Sequence, residues 1–158
     1  MGEQAQIRPL SPEDYPAVGR ISFCAVHEGA RSAYSYEQRL AWGGEATDLD
    51  QWKKRVETLT GFVAERDNEP IGFITIDHTG YIDLAFVLPS ETRRGVGRAL
   101  LNAAERWASA NGATRFTTEA SLIARPFFEK NGWSVLEEES VSRNGVILNR
   151  FKMQKTRT

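Results

Sequence analysis

The pattern of hydrophobic and polar residues changes near Gly61, with helix signals before that point and strand signals after it. Ser11 is a suitable helix N-cap, Pro12 follows at the first helical position, and acidic residues fill the first turn. These features predict a helix over residues 11–26. The other elements predicted in this part are an edge strand at residues 6–10 and short helices at residues 36–42 and 48–59.

The second part of the chain alternates short strands with two helices. Residues 61–67 and 70–77 are strand-like and are joined by Asn68 and Glu69, which predicts a β-hairpin. Apolar side chains recur on one face of residues 95–111, as in an amphipathic helix. The remaining elements are strands at residues 81–88, 115–121, 134–139 and 146–153, and a short helix led by Pro126 that stops at Asn131 and Gly132.

Length and element order together predict the class of fold. Helices that precede strands, with two further helices among the strands, are typical of a mixed sheet with helices on its faces. A chain of 158 residues is the size of one domain, so we expect a single domain over residues 1–158. The content of 41% hydrophobic and 26% charged residues is ordinary for a globular protein.

Charge and cysteine content argue against several classes of protein. Twenty Lys and Arg residues against 21 Asp and Glu residues offer no broad attraction for nucleic acid or an anionic membrane, so neither partner is expected. Cys24 is the single cysteine and cannot form an internal disulfide; we expect an inert core thiol rather than a nucleophile. The N-terminus lacks the apolar run of a signal peptide, which favours a cytoplasmic location.

The strongest local signal is a glycine-bearing turn between a strand and a helix. Gly95 and Gly97 allow the backbone to approach a ligand closely, and the free N–H groups at a helix start favour phosphate. Arg93, Arg94 and Arg98 add positive charge. The pattern is not a P-loop or a dinucleotide fingerprint, because the required lysine and third glycine are missing. A plain glycine turn with a solvated basic face fits these residues equally well.

This stretch resembles motif A of the GNAT N-acetyltransferase superfamily, Gln/Arg-x-x-Gly-x-Gly/Ala, placed after a strand that ends in Val-x-Pro. Residues 124–133 resemble its companion motif, Ala-x-x-Phe-Tyr-Glu-Lys-x-Gly-Phe. The resemblance covers nearly the whole chain in the right order, and residues 27–42 look like an uncharacterised bacterial subgroup. It implies an α/β (α+β) fold with a mixed, mostly antiparallel central sheet of six to seven strands, flanked by helices.

The resemblance implies acetyl-CoA as the co-substrate and no metal. Ser121 stands where many relatives have a coenzyme-binding Asn, and a helix cap is the alternative for it. Thr92 replaces the usual Gln or Arg of motif A, which implies weaker binding. The resemblance also implies that the coenzyme is bound by backbone groups. The pantetheine arm would pair with those of Ala85, Phe86 and Val87. The pyrophosphate would be bound by those of Arg93, Arg94, Gly95, Val96, Gly97 and Arg98.

Acetyl transfer to an amine requires a base, because a lysine-like amine has a pKa of about 10.4 in water. Asp83 and Glu119 are the candidates, and Tyr81 shares the strand face of Asp83. The alternative for Asp83 is an edge carboxylate bonded to the neighbouring strand, and the alternative for Glu119 is a solvent-facing strand residue. Phe128 stands in the coenzyme-binding companion motif where the family has its Tyr acid. Either the thiol, with a pKa of about 8.5, leaves as an anion without a dedicated acid, or water, Tyr81 or Ser121 donates the proton.

The segment after the first helix lines the acceptor pocket in this superfamily. The candidate substrate-binding residues there are His27, Tyr34 and Trp42. Core packing is the alternative for the two aromatic residues, and a structural role is the alternative for the histidine. His27 and His78 are far apart in the sequence and there is no cysteine pair, so we expect no metal site.

These observations predict an acetyl-CoA-dependent N-acetyltransferase that moves an acetyl group to a primary amine of a small molecule or peptide by direct attack on the thioester. A catalytically idle acyl-CoA-binding regulatory module is the alternative, suggested by Phe128. Transfer to a hydroxyl also stays open, because the same base would serve it. The sequence does not determine the acceptor or the oligomeric state, for which a homodimer is one option.

Overall fold

The computed structural model describes residues 5–157, whose strands form one seven-stranded sheet in the order β1-β2-β3-β4-β5-β7-β6. Its strands are β1 (Gln6–Pro9), β2 (Gly61–Arg66), β3 (Glu69–Ile76), β4 (Tyr81–Val87), β5 (Arg115–Ser121), β6 (Ser134–Arg143) and β7 (Val146–Thr156). Neighbouring strands are antiparallel except β4 and β5, which are parallel. The predicted mixed, mostly antiparallel sheet of six to seven strands is therefore confirmed.

Helices cover both faces of the sheet. They are α1 (Tyr15–Cys24), α2 (Tyr36–Gly43), α3 (Leu49–Val56), α4 (Val96–Ala110) and α5 (Ala124–Lys130). The main core lies between α4 and one face, where Leu100 and Leu101 pack with Ile74 and Ile82. A second core lies on the opposite face, where α1 and α3 cover β2 and β3. None of the helices within residues 5–157 is long and apolar enough to cross a bilayer.

The single helix predicted over residues 11–26 is broken into three parts in the structure. A 3₁₀ turn (Pro12–Asp14) comes first, with Ser11 and Asp14 in a reciprocal capping box, and α1 begins after it. After Cys24 the helix widens into a π-helical turn (Ala25–Gly29). A guanidinium nitrogen of Arg39 donates to the carbonyl of His27 at 2.6 Å, which satisfies a backbone group of this wider turn.

The predicted hairpin at residues 61–77 is confirmed, although its turn lies one residue earlier than expected. Asp67 and Asn68 are the turn residues, with φ of 54° and 64°, as the right-handed twist of the flanking strands requires. The β6–β7 hairpin turns at Asn144 and Gly145 with similar angles of 52° and 79°. Both strands of this second hairpin are longer than predicted, because polar residues continue the hydrogen-bonded ladder along the sheet edge.

A β-bulge in β4 opens the middle of the sheet. Ile74 pairs with Ala85 and Ile76 pairs with Ile82, so β4 carries one extra residue between these pairs. The displaced amide of Leu84 donates to the hydroxyl of Thr75 at 3.0 Å. On the other side, β4 pairs with β5 at two positions only, Tyr81 and Ile82. Beyond Ile82 the two parallel strands are no longer paired, and a cleft opens between them.

Candidate active site

A cavity of about 530 Å³ lies at this cleft. Its floor is formed by β4 and β5, and its walls come from the end of α1, from α2 and α3, and from the β6–β7 hairpin. Charged and aromatic side chains share the lining. The charged residues are Asp48, Arg55, Asp83, Glu119, Arg143 and Arg150, and the aromatic ones are Phe23, Tyr34, Trp42, Trp52, Tyr81, Phe86 and Phe128.

The second half of β4 presents backbone rather than side chains to the cleft. Phe86 packs into the core under α1 and α3, and Val87 packs into the core under α4, so the two side chains leave the strand on opposite faces. Ala85 is exposed and has only a methyl group. The unpaired N–H and C=O groups of this strand edge can therefore hydrogen-bond an extended ligand, as an added strand would.

The loop after β4 has the backbone shape of an anion site. A 3₁₀ turn (Pro89–Glu91) is followed by Arg93 and Gly95 in the left-handed region, with φ of 64° and 83°. Gly95 is the N-cap of α4 and offers no side-chain acceptor, so the first amides of the helix remain free for a ligand. Alternating left-handed residues turn successive N–H groups into a concave surface that suits phosphate.

The two glycines of this loop have different surroundings. A side chain at Gly95 would meet no atom within 4 Å, so this position needs glycine for its positive φ. At Gly97, a Cβ would lie 3.1 Å from the ring of Phe127, so a larger residue would press on that ring of α5. Arg93, Arg94 and Arg98, the predicted pyrophosphate-binding side chains, are all exposed around the helix start.

Tyr81 and Glu119, two of the predicted catalytic residues, are in direct contact in the cavity. The Tyr81 hydroxyl donates to Oε2 of Glu119 at 2.5 Å. Burial raises the pKa of Tyr81 well above its ordinary value, and the hydrogen bond and negative charge of Glu119 raise it further. The phenol therefore stays protonated and keeps one face of the Glu119 carboxylate hydrogen-bonded.

Asp83, the other predicted base, pairs with a residue of α3. Its Oδ2 lies 2.9 Å from Nη2 of Arg55, and the two side chains are 39% and 46% exposed. The guanidinium of Arg55 also lies 5.4 Å from the ring centroid of Trp52. Asp83 therefore sits at the open side of the cavity with its charge already compensated.

Two of the predicted coenzyme-binding residues make internal contacts. The Ser121 hydroxyl accepts from the amide of Ala124, the first residue of α5, at 3.1 Å. Phe128 is 3% exposed and packs its ring 4.9 Å from that of Trp133, although part of it reaches the cavity wall. Neither contact removes these residues from the site, since both line the cavity beside the open edge of β4.

The three predicted acceptor residues are placed differently. Tyr34 and Trp42 line the cavity and pack edge to face at 5.4 Å. The Tyr34 hydroxyl donates to the carbonyl of Asn149 and accepts from the amide of Leu122, which joins β7 to the end of β5. His27 is not among the described residues that line the cavity, and its Nε2 lies 2.8 Å from the carbonyl of Gly44.

Sequence reasoning missed several residues of the cavity. Arg150 lies on β7 opposite Ser121 and pairs with Glu139. Ser22 lies on α1, and within the described part of the chain its buried hydroxyl has no hydrogen-bond partner. The Asn-Gly dipeptide at residues 144–145 is a strong hairpin signal that would have brought Arg150 to this end of the sheet. No sequence signal identifies Ser22. Among residues 5–157, no cluster of three His, Cys, Asp or Glu side chains could hold a metal ion.

Comparison with known proteins identifies the family of the chain. A family model described as acetyltransferase (GNAT) domain matches residues 30–156. The chain is 35% identical over 150 residues to an uncharacterized N-acetyltransferase, YafP, of Escherichia coli (strain K12), with 94% of each chain covered. A crystal structure of a GCN5-related N-acetyltransferase from Rhodopseudomonas palustris superimposes with a TM-score of 0.91 at 31% identity, covering 99% of this chain and 98% of that one.

A more distant structure shares the fold alone. It is the PaiA N-acetyltransferase of Thermoplasma acidophilum in complex with coenzyme A. The two structures superimpose with a TM-score of 0.78 at 21% identity, and the match covers 98% of this chain and 100% of the other. The family match spans most of the chain, and the relative from Escherichia coli is similar over nearly its full length. The chain therefore belongs to the GNAT family of acetyltransferases and is an acyltransferase.

Proposed function

We propose that the protein is an acetyl-CoA-dependent N-acetyltransferase, and that the nucleophile is a primary amine of a small molecule or peptide that attacks the thioester directly. The observation that carries this proposal is a single cavity that joins the open edge of β4 to the Tyr81–Glu119 pair. One end of it suits an extended thioester arm, and the other end holds a group able to accept a proton.

The coenzyme side of the proposal uses backbone groups. The edge of β4 from Ala85 to Val87 would pair with the amides of the pantetheine arm, and the first amides of α4 would bind the pyrophosphate. The same fold holds coenzyme A in the PaiA protein of Thermoplasma acidophilum, which supports this placement. Arg93 and Arg98 would add charge around the phosphates.

Glu119 is the better candidate for the general base. The reacting amine must lose a proton, directly or through water, because only its neutral form has a free electron pair. The carboxylate of Glu119 lies inside the cavity and is oriented by Tyr81, whereas Asp83 is paired with Arg55 at the cavity edge. Glu119 would therefore take the amine proton, and Asp83 with Arg55 would shape the acceptor entrance.

The departing thiolate does not require a tyrosine at position 128. A thiol has a pKa of about 8.5, so its anion leaves without full protonation in the transition state. Tyr81 is the protonated hydroxyl nearest to Glu119 in the cavity, and it would supply or relay a proton where one is needed. Phe128 would then contribute an apolar wall beside the thioester.

Thiol release from acetyl-CoA with a panel of amines tests this function. The panel should include amino acids, short peptides, polyamines and aminoglycosides, and acetyl-CoA binding should be measured by calorimetry in parallel. We expect binding and amine-dependent release of free coenzyme A. Binding with no turnover on any amine would instead support the idle acyl-CoA-binding module that Phe128 suggests, and absence of binding would overturn both functions.

A further inference from the structure

Three charged side chains form a chain of ion pairs directly behind the proposed pyrophosphate site. Oε1 of Glu91 lies 3.0 Å from Nε of Arg66, and Oε2 of Glu91 lies 3.5 Å from Nη1 of Arg94. The side chains of Glu91 and Arg66 are only 12% and 16% exposed, whereas that of Arg94 is 49% exposed. The carboxylate thus links a largely buried arginine of β2 to a solvent-facing arginine of the loop.

A carboxylate at this place is unexpected, because it lies within one turn of a site built for anions. Its negative charge alone would weaken phosphate binding. Arg66 pairs with one oxygen of that carboxylate, and the second oxygen is left to hold the guanidinium of Arg94.

The loop also departs from the family pattern at the residue that usually contributes a long polar side chain. Thr92 stands there, and its hydroxyl donates to the carbonyl of Pro89 at 3.0 Å, so it stabilises the 3₁₀ turn rather than facing a ligand. Arg94 lies between the two left-handed residues, Arg93 and Gly95, which fix the direction in which its side chain leaves the loop.

We propose that Glu91, anchored by Arg66, is a positioning residue that holds the guanidinium of Arg94 ready for the pyrophosphate of acetyl-CoA. This inference rests on the proposed function. A free arginine side chain has many rotamers and loses that freedom on binding, so a guanidinium already held in place binds phosphate at a smaller entropic cost. Arg94 would then replace the contact that Thr92 does not supply.

The test is the variant Glu91→Gln, which keeps the shape of the side chain and removes its charge. We expect the KM for acetyl-CoA to rise by about tenfold with little change in kcat, as for the loss of a charge-assisted contact. S-acetyl-pantetheine, which lacks the pyrophosphate, should be used equally well by both proteins. Glu137→Gln is the control for the loss of a surface ion pair, because Glu137 pairs with Lys152 at 3.3 Å on the β6–β7 hairpin and is 61% exposed.

A double-mutant cycle separates positioning from a general effect on the loop. If Glu91 acts through Arg94, the double variant Glu91→Gln/Arg94→Gln should bind acetyl-CoA no more weakly than Arg94→Gln alone. Tighter binding by Glu91→Gln would overturn the proposal, because the carboxylate would then only repel phosphate. Equal losses with acetyl-CoA and S-acetyl-pantetheine would also overturn it, since they would indicate general damage to the loop.

These outcomes differ from a failure of the proposed function. Calorimetry on the unmodified protein decides whether acetyl-CoA binds at all, before any variant is compared. If it binds and Glu91→Gln binds with the same affinity, only the positioning role is wrong. Thermal unfolding of each variant shows whether the loss of the ion pairs of Glu91 has unfolded the protein. Turnover of S-acetyl-pantetheine provides a second check on folding.

Discussion

The hydroxyl of Tyr81 donates to the carboxylate of Glu119 across the short stretch where β4 and β5 pair. Just beyond this stretch the two strands separate, so the pair lies at the closed end of the cleft. The bulge at Asp83 and Leu84 thus begins two residues after Tyr81 on β4. A thioester held along the open edge would end beside the residues best placed to move protons.

We expect Glu119→Gln to remove most of the activity while leaving coenzyme binding intact. Loss of a general base typically lowers turnover by about 10²- to 10⁴-fold. Coenzyme binding should be unaffected, because Glu119 lies on β5 and not in the loop between β4 and α4. Steady-state kinetics and calorimetry with acetyl-CoA would measure the two effects. Asp83→Asn is the competing variant: if it loses activity to this extent and Glu119→Gln does not, Asp83 is the base.

Tyr81→Phe should lower kcat and change the alkaline behaviour of the protein. Burial raises the pKa of Tyr81, and the hydrogen bond and charge of Glu119 raise it further. Above pH about 10, the pKa of a tyrosine in the unfolded chain, the folded state therefore still keeps the phenol proton of Tyr81 that the unfolded state loses. The resulting stability is present below pH about 10 and is lost as pH rises above it. Chemical denaturation between pH 8 and 11 should show a smaller decline for Tyr81→Phe.

The phenolate absorbance provides an independent check of the same prediction. The chain has four tyrosines, and burial also raises the pKa of Tyr34. Alkaline titration of the folded protein should therefore show two tyrosines that ionise late, and Tyr81→Phe should remove one of them. An unchanged late phase in the variant would contradict the assigned environment of Tyr81.

Local sequence predicted the glycine turn before α4 well, and the contact between Tyr81 and Glu119 only in part. The turn at Gly95 depends only on residues that are adjacent in the chain, so the local sequence is sufficient to predict it. The contact of Tyr81 with Glu119 depends on the parallel register of β4 and β5, and the pairing of Asp83 with Arg55 depends on where α3 packs. No periodicity along one strand encodes either relationship, so the sequence left both carboxylates as candidates for the base.

Gly95→Val should weaken acetyl-CoA binding by about tenfold or more, a loss of roughly 1.4 kcal/mol. The space around Gly95 is open, so the effect comes from the left-handed backbone, where a β-branched residue is strained and reshapes the free amides. Gly112→Val is the matched control. Gly112 lies at the other end of α4, also has a positive φ of 96°, and also meets nothing within 4 Å.

Calorimetry and thermal unfolding of both glycine variants separate binding from stability. The backbone strain is similar at the two ends of α4, so the two variants should lose similar stability, about 1–2 kcal/mol. Only Gly95→Val should lose affinity for acetyl-CoA. Equal affinity in the two variants would place the pyrophosphate elsewhere, and it would remove the main support for the loop as the coenzyme site.

Asp14→Asn should destabilise the protein and flatten its acid unfolding. Burial disfavours the charge of Asp14, but hydrogen bonds from Arg8 and from the amide of Ser11 outweigh it and hold the pKa of this carboxyl below its ordinary value. The stabilisation is therefore present above pH about 4 and is lost as pH falls through the lowered pKa of the folded state. At neutral pH we expect a loss of about 1–3 kcal/mol, because Arg8 and the helix start lose a charged partner.

Denaturant unfolding from pH 7 down to pH 2 would measure this effect. The variant should unfold more easily at pH 7, and the gap between the two proteins should narrow below pH about 4. There the Asp14 carboxyl of the wild type becomes protonated first in the unfolded state and then, at lower pH, in the folded state. Asp50→Asn serves as the control, since Asp50 is exposed in the first turn of α3. A constant gap across the whole range would show that the side-chain shape of Asp14, and not its charge, holds β1 against the helix start. Arg8 lies on β1, the edge strand farthest from the cavity in this half of the sheet, and neither Arg8 nor Asp14 lines the cavity, so acetyl-CoA affinity should stay unchanged at pH 7.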